Sequence, residues 1–223
     1  NRKKVAISCW VKRSFLGAGT YSVFHGGVSG LMMQFGPTGA DEIYLYQSPW
    51  QIYKDALLIR DVGGWYHFAL ILDSTQATDS NRAKLYINGQ LEDFSTWQVG
   101  SGANRYPTLN VDFNWHTGTA MRIGSTGGSD DLAGYIADFI SVDGQDVSIS
   151  DFGEDKNGIW TPKDVSGLTL GNAGFYLDFA DSSNIGNDAG ANNIDFTPAN
   201  LAASDVVSDS PTNNFATLNP LHT

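Results

Sequence analysis

Lysine and arginine are scarce in this chain. Thirteen of them stand against 24 aspartates and glutamates, which leaves a net charge of −11 and an isoelectric point near 4.5 over 223 residues. Such a surface has no basic footprint for nucleic acid, and it repels anionic glycans unless a cation intervenes. Cysteine is nearly absent. Cys9 stands alone, so no internal disulfide is available, and its place in a strand pattern marks it as a small buried hydrophobe with no redox role. Nothing approaches the roughly 18 consecutive apolar residues of a membrane-crossing helix, which argues against membrane insertion. No signal peptide is evident. Glutamate is reduced to Glu42, Glu92 and Glu154, far apart in sequence. The four histidines, His25, His67, His116 and His222, fall in no zinc-binding spacing, and no Gly-x-Ser-x-Gly elbow exists. These shortages leave little from which to assemble a catalytic centre.

Turn-forming residues, by contrast, are plentiful. Twenty-five glycines, with abundant Asn, Asp and Ser, fit many tight turns rather than helices. A chain of this length can be one large all-β domain with a substantial core. Residues Trp65 to Asp73 give the clearest strand. Tyr66, Phe68, Leu70 and Leu72 lie on one face and Trp65, His67, Ala69 and Ile71 on the other, as in a strand covered on both sides. Ser74 to Arg82 is polar and reads as an exposed loop. Leu85 and Ile87 then alternate with Lys84, Tyr86 and Asn88, and Asn88-Gly89 predicts a type I′ hairpin turn.

The same rhythm runs through the chain. Strands are expected at Val5–Val11, Tyr21–His25, Leu31–Phe35, Glu42–Gln47, Leu57–Arg60 and Met121–Gly124. Another is expected at Leu132–Val142, with Ile136, Ile140 and Val142 on one face and Tyr135, Ala137 and Phe139 on the other. Asp143-Gly144 reads as a second hairpin-type turn. Gln98 to Gly118 is mostly loop. Phe175, Leu177 and Phe179 predict one late strand. After Phe196 only Leu201, Val206 and Val207 are available as anchors, so the tail is expected to run over the surface. Residues 1–200 therefore read as the domain and 201–223 as a tail or linker. Asn1 begins in mid-strand character, and the chain is expected to be a segment of a longer polypeptide.

Trp65-Tyr66-His67-Phe68-Ala69, Asp73 and Leu85-Tyr86-Ile87-Asn88-Gly89 resemble the central strands of laminin-G-like, concanavalin-like jelly-roll domains. Met121-Arg122-Ile123-Gly124 and Leu132-Ala133-Gly134-Tyr135-Ile136-Ala137-Asp138 resemble that family's closing strands. The resemblance implies an all-β, two-sheet antiparallel jelly-roll sandwich with an irregular C-terminal extension. A narrower likeness rests on Ser8-Cys9-Trp10-Val11-Lys12-Arg13, Gly158-Ile159-Trp160-Thr161-Pro162-Lys163, Gly174-Phe175-Tyr176-Leu177-Asp178-Phe179 and Asp209-Ser210-Pro211-Thr212-Asn213-Asn214. These resemble jelly-roll modules of tailed-bacteriophage virion proteins. That likeness implies a tail or capsid fibre component at the virion surface, with other virion proteins, host-surface glycans and further copies of itself as partners. A purely structural or decorating virion module and a secreted cellular lectin are the alternatives. Concanavalin-type glucanases carry two glutamates on one strand, a pattern missing here, so no enzyme is expected.

Two constellations stand out. Asp178, Asp181, Asn184, Asn187 and Asp188 place hard oxygens on a Gly-bearing loop, which suits calcium, with Asp181, Asn187 and Asp188 as the main ligands. The same residues equally suit Asx turns closed on their own backbone. Trp50, Trp97, Trp115 and Trp160, with Tyr53 and Tyr106, fall in or near expected loops, where aromatic rings can stack on sugars or fold back to plug the sandwich. The cluster Trp115-His116, with Asn114, Asp112 and Tyr106 nearby, is the expected carbohydrate site, with the Trp115 ring partly open to solvent. His67 is expected to be a packed structural histidine.

Overall fold

The computed structural model describes residues 2–36, 42–54, 59–116, 121–128 and 130–213. Within them the first sheet contains β1 (Lys4–Arg13), β6 (Tyr66–Asp73), β7 (Ala83–Ile87), β8 (Gln90–Leu91), β11 (Gly134–Asp143) and β14 (Phe175–Leu177). The second contains β2 (Tyr21–His25), β3 (Met32–Phe35), β4 (Ile43–Gln47), β5 (Trp50–Lys54), β9 (Gln98–Val99) and β10 (Arg122–Ile123). A separate hairpin joins β12 (Gly153–Lys156) to β13 (Ile159–Pro162). Strand order is β14-β11-β1-β6-β7-β8 in the first sheet and β10-β2-β3-β4-β5-β9 in the second, every named pairing antiparallel. Helix among the described residues is confined to three-residue 3₁₀ turns. The molecule is an all-β two-sheet sandwich.

Alternation decides which side chains fill it. Val5, Ile7, Cys9 and Val11 of β1 join Phe68, Leu70 and Leu72 of β6 and Leu85 of β7 in the main core. Met33, Phe35, Ile43, Leu45 and Ile52 meet them from the second sheet. The opposite face of the first sheet is also covered. Ala6, Ala69, Ile140 and Val142 form a second cluster with Phe152 and Val165, so the segment after β11 lies over that face. This explains the two apolar faces of Trp65–Asp73, which are buried against two different cores. The turn at Asn88-Gly89 has φ of 48° and 78°, as a type I′ turn requires. A side chain at Gly89 would also strike the Trp160 ring, 2.5 Å from the added Cβ.

Four strand-level expectations are corrected. Of Leu57–Arg60, Leu57 and Leu58 lie outside the described residues, while Ile59 and Arg60 form no strand; Ile59 is a core residue. Trp50 and Tyr53, expected in or near loops, stand in β5. Asp143-Gly144 makes no hairpin, because the outer neighbour of β11 is β14. In β11, register slips between Ala137, opposite Trp10, and Ile140, opposite Ser8; Asp138 sits in the slip at φ 48°. This bulge reverses the alternation. Ile136 packs with Phe139 on the main core, and Ile140 and Val142 face the other cluster.

Candidate functional site

The expected aromatic cluster comes first. Trp115 is 0% exposed, so the expected open ring is corrected. Its Nε1–H donates to Ser141 Oγ on β11 at 2.7 Å, and its ring meets Phe24 of β2 edge-on at 5.5 Å. It therefore bridges the two sheets as an end plug and presents no face to a sugar. His116, at φ 57°, places Nε2 2.8 Å from the same Ser141 Oγ; burial lowers its pKa to about 4. Asn114 is tied to scaffold as well. Its backbone N–H donates to Gln47 Oε1 and its Nδ2 to the Ser29 carbonyl. Asp112 lies at the surface against Arg2. Trp50 and Trp97 are buried too, and Trp160 is half-buried with its indole N–H on His67. The long loop expected at the surface dips into the core instead, carrying Phe113 and Trp115 inward together.

Tyr106 has a different setting. It is half-buried and its ring lies 6.3 Å from that of Phe94. It lines an open groove of about 430 Å³ with Asp79, Arg82, Asn104, Arg105, Pro107, Thr108 and Leu109. Arg82 builds one wall. Its guanidinium donates to the carbonyls of Gln76, Ala77 and Pro107, and so clamps the β6–β7 loop to the rim that holds Tyr106. Arg105 builds the other wall: its Nη1 donates to the carbonyls of Phe94 and Trp97, and its own carbonyl accepts the Trp50 indole N–H. Burial, then the Asp79 charge, raises the Tyr106 pKa, so its phenol stays protonated and can donate. Leu109 is 46% exposed and supplies an apolar surface beside that phenol. The open groove thus sets Tyr106, Pro107 and Leu109 among polar groups of both charge signs. Asp79, Arg82, Asn104, Arg105 and Thr108 were not singled out from sequence; each looked like an ordinary loop residue.

The calcium loop is committed elsewhere. Asp188 is 5% exposed and accepts three backbone N–H bonds: Tyr176 and Gly190 at Oδ1, Ile194 at Oδ2. Asp181 accepts Ser183 N–H and Oγ–H in an Asx turn, which lowers its pKa. The Asn187 backbone N–H donates to the Asn184 carbonyl, and Asp178 Oδ1 accepts the Ala180 N–H. Among the described residues no three His, Cys, Asp or Glu side chains gather as a metal cage. The donor set fits loop closure better than a cation.

Residues 1–145 match the Laminin_G_3 family model, described as the concanavalin A-like lectin/glucanases superfamily, and the chain belongs to that family. The match ends just past β11, so the segment over the first sheet lies outside it. A search of curated proteins finds no match. Among solved structures the chain is similar to a Bacteroides ovatus protein provisionally named carbohydrate binding, with 14% identity, TM-score 0.44 and coverage of 63% of this chain and 37% of that one. It is also similar to domain 4 of AbnA, an extracellular arabinanase of family GH43 from Geobacillus stearothermophilus solved with arabinotriose, with 20% identity, TM-score 0.38 and coverage of 62% and 60%. A third is the binding domain of botulinum neurotoxin serotype D/C, with 14% identity, TM-score 0.35 and coverage of 63% and 33%. The chain therefore spans less than two thirds of each of these.

Proposed function

We propose that this domain binds carbohydrate without transforming it, as an adhesion module of a tailed-phage fibre that contacts glycans on the host surface. The observation that carries the carbohydrate reading is the groove at Tyr106. Tyr106 and Leu109 give it apolar surface, and Asp79, Asn104, Arg105 and Thr108 line it with polar groups. The family description itself takes in lectins and glucanases. Catalysis is the weaker reading. Glu42 is sealed at 0% exposure, Glu92 is bonded to Lys54 and Glu154 pairs with Lys156, whereas retaining hydrolysis needs two carboxyls about 5 Å apart. The virion part rests on the resemblance of the Ser8–Arg13, Gly158–Lys163, Gly174–Phe179 and Asp209–Asn214 segments. On this reading the module would sit at the virion surface beside other virion proteins. Display in several copies would strengthen a shallow site through effective concentration.

The test is a glycan array probed with the 223-residue chain displayed on beads. Binding is expected to a discrete set of glycans, and Tyr106→Ala should abolish it while the melting temperature moves by no more than a few degrees. A wild-type chain that binds nothing overturns the reading. It would leave a spacing or decorating module, which the burial of Trp50, Trp97 and Trp115 favours, since no indole remains at a loop tip for a ligand.

A further inference from the structure

Four segments far apart in sequence meet where β1 ends and β6 begins. Lys12, near the end of β1, sends its ammonium to Asp209 Oδ2 at 2.8 Å. Trp65, just before β6 and buried, acts on the same carboxylate through its indole N–H. Lys12 first, and then this indole, hold the Asp209 carboxyl below its usual range. The 3₁₀ turn Pro211–Asn213 lies against β13, with Pro211 buried. β13 is fixed to the sheet in turn, because its Trp160 donates to His67. Leu201, Val206 and Val207 were the anchors expected for the tail. The anchor is the Asp209–Pro211 step instead, and Leu201 and Val207 stand 54% and 47% exposed.

The chain that leads to this anchor is loosely held. Phe196 packs on Phe175, with centroids 4.8 Å apart. Residues 197–209 are then exposed apart from half-buried Val206. Among the described residues, the hydrogen bonds of 197–208 close within the segment. Ala202 N–H lies on Asp205 Oδ2, Asp205 N–H on the Ala202 carbonyl and Val206 N–H on that of Ala203. The tail is therefore a loose link that ends in a built plug: an ion pair beside an indole, then a buried proline. Fully extended, residues 197–210 reach roughly 45 Å, comparable with the breadth of a domain this size.

We propose that the notch formed by Lys12, Trp65 and β13 is an interaction site between copies of this chain, and that neighbouring copies exchange their Asp209–Asn213 plugs through it. Exchange keeps every docking contact, since the arriving plug is identical to the departing one; only the link is re-routed. Concentration then decides. A short flexible link holds its own plug at an effective concentration on the order of millimolar. Chains at micromolar concentration stay closed, whereas copies held side by side compete on equal terms. In the exchanged form Leu201 and Val207 run between two bodies and gain apolar surface to bury; the closed tail leaves them in water. None of this depends on what the Tyr106 groove binds.

The test refolds unlabelled and heavy-isotope chains together, at about 10 μM and at about 1 mM, either side of that effective concentration. A carbodiimide then joins any ammonium to a carboxylate in contact with it, with loss of water. Lys12–Asp209 is one such pair, and Lys4–Asp146, at 2.6 Å, is a reference pair that does not involve the tail. Mass spectrometry reads the joined peptides. At the lower concentration both pairs should join peptides of one isotope. At the higher, roughly a quarter of Lys12–Asp209 products should join light to heavy, since half the plugs exchange and half of those meet the other isotope. Lys4–Asp146 should stay unmixed, and Asp209→Asn should remove the mixed product. Lys12–Asp209 products that remain unmixed at the higher concentration overturn the proposal. So does mixing at both pairs, which marks general collision, and so does the absence of any Lys12–Asp209 product, which means that the plug is not seated.

Discussion

His67 Nδ1 accepts the indole N–H of Trp160 at 3.0 Å, while its Nε2 lies 2.8 Å from Ser8 Oγ. Because an indole can only donate, Nδ1 carries no proton, and the neutral ring is the Nε2–H tautomer donating to Ser8. The ring also packs on Trp10, with centroids 4.8 Å apart. One histidine thereby fastens the β12–β13 hairpin to the outer face of the first sheet, and a second proton would break the link to Trp160.

Acid should therefore loosen the domain. Burial lowers the His67 pKa to about 3, against roughly 6.5 in an unfolded chain. Between those values the unfolded chain binds more protons, so stability falls as pH falls. The contribution is complete above about pH 6.5 and exhausted near pH 3, with a limiting slope of about 1.4 kcal/mol per pH unit. His116, lowered to about 4, adds to the slope over the upper part of that window. Denaturant titrations from pH 7 to 4 should show this decline. His67→Asn should start from lower stability but show a shallower dependence; an unchanged slope would assign the acid sensitivity to other groups.

Trp115 is expected to behave as a core residue. It is fully closed, bonded to Ser141 and wedged between Phe24 and Phe175. Trp115→Ala should cost roughly 3–5 kcal/mol, matching Phe68→Ala, because both remove a buried ring from the same core. Trp115→Phe retains the ring's apolar body and should cost less. Chemical denaturation of the three variants is the comparison, and a Trp115→Ala chain as stable as wild type would return the ring to the surface.

The strands were legible where one period held. Tyr66 to Asp73 and Asn88-Gly89 read directly because a residue's face follows from its parity and a type I′ turn tolerates few residues. Legibility failed where a local device broke the period. Asp138 slips the register of β11, which no alternation rule can anticipate. Trp50 follows Pro49, so β5 reads as the end of a turn. The aromatic loop misled for a further reason: composition says that Trp115 and Tyr106 are both large and amphipathic, but not which dips between the sheets. The groove walls were invisible, since Arg82 and Arg105 owe their positions to backbone carbonyls.

The Asp178–Asp188 loop should be indifferent to calcium. Both Asp188 oxygens already accept backbone N–H groups, so a cation would compete with three hydrogen bonds for this carboxylate. Melting in millimolar calcium and in chelator should give the same midpoint. A rise of several degrees with calcium would show a site bound only by the folded state. Asp188→Ala should destabilise by at least about 1–3 kcal/mol through the amides it leaves buried and unpaired.

Arg82 offers a way to separate the groove's shape from its chemistry. Three guanidinium N–H groups reach three carbonyls, two on the β6–β7 loop and one, Pro107, on the rim beside Tyr106. A lysine keeps the charge, but its single ammonium lacks the planar fork that holds separated acceptors at once. In Arg82→Lys, long-range attraction of a ligand should survive while the two walls lose their mutual anchor. Neither wall belongs to the sheet core, so the loss should remain local: faster amide exchange at residues 76–80 and 105–109, with β1 and β6 still protected. Glycan binding should fall along with that local order, even though Tyr106 is untouched. Hydrogen exchange by mass spectrometry makes the comparison. If exchange in both walls stays at wild-type rates, the clamp does not order the groove, and any binding loss would belong to the guanidinium itself.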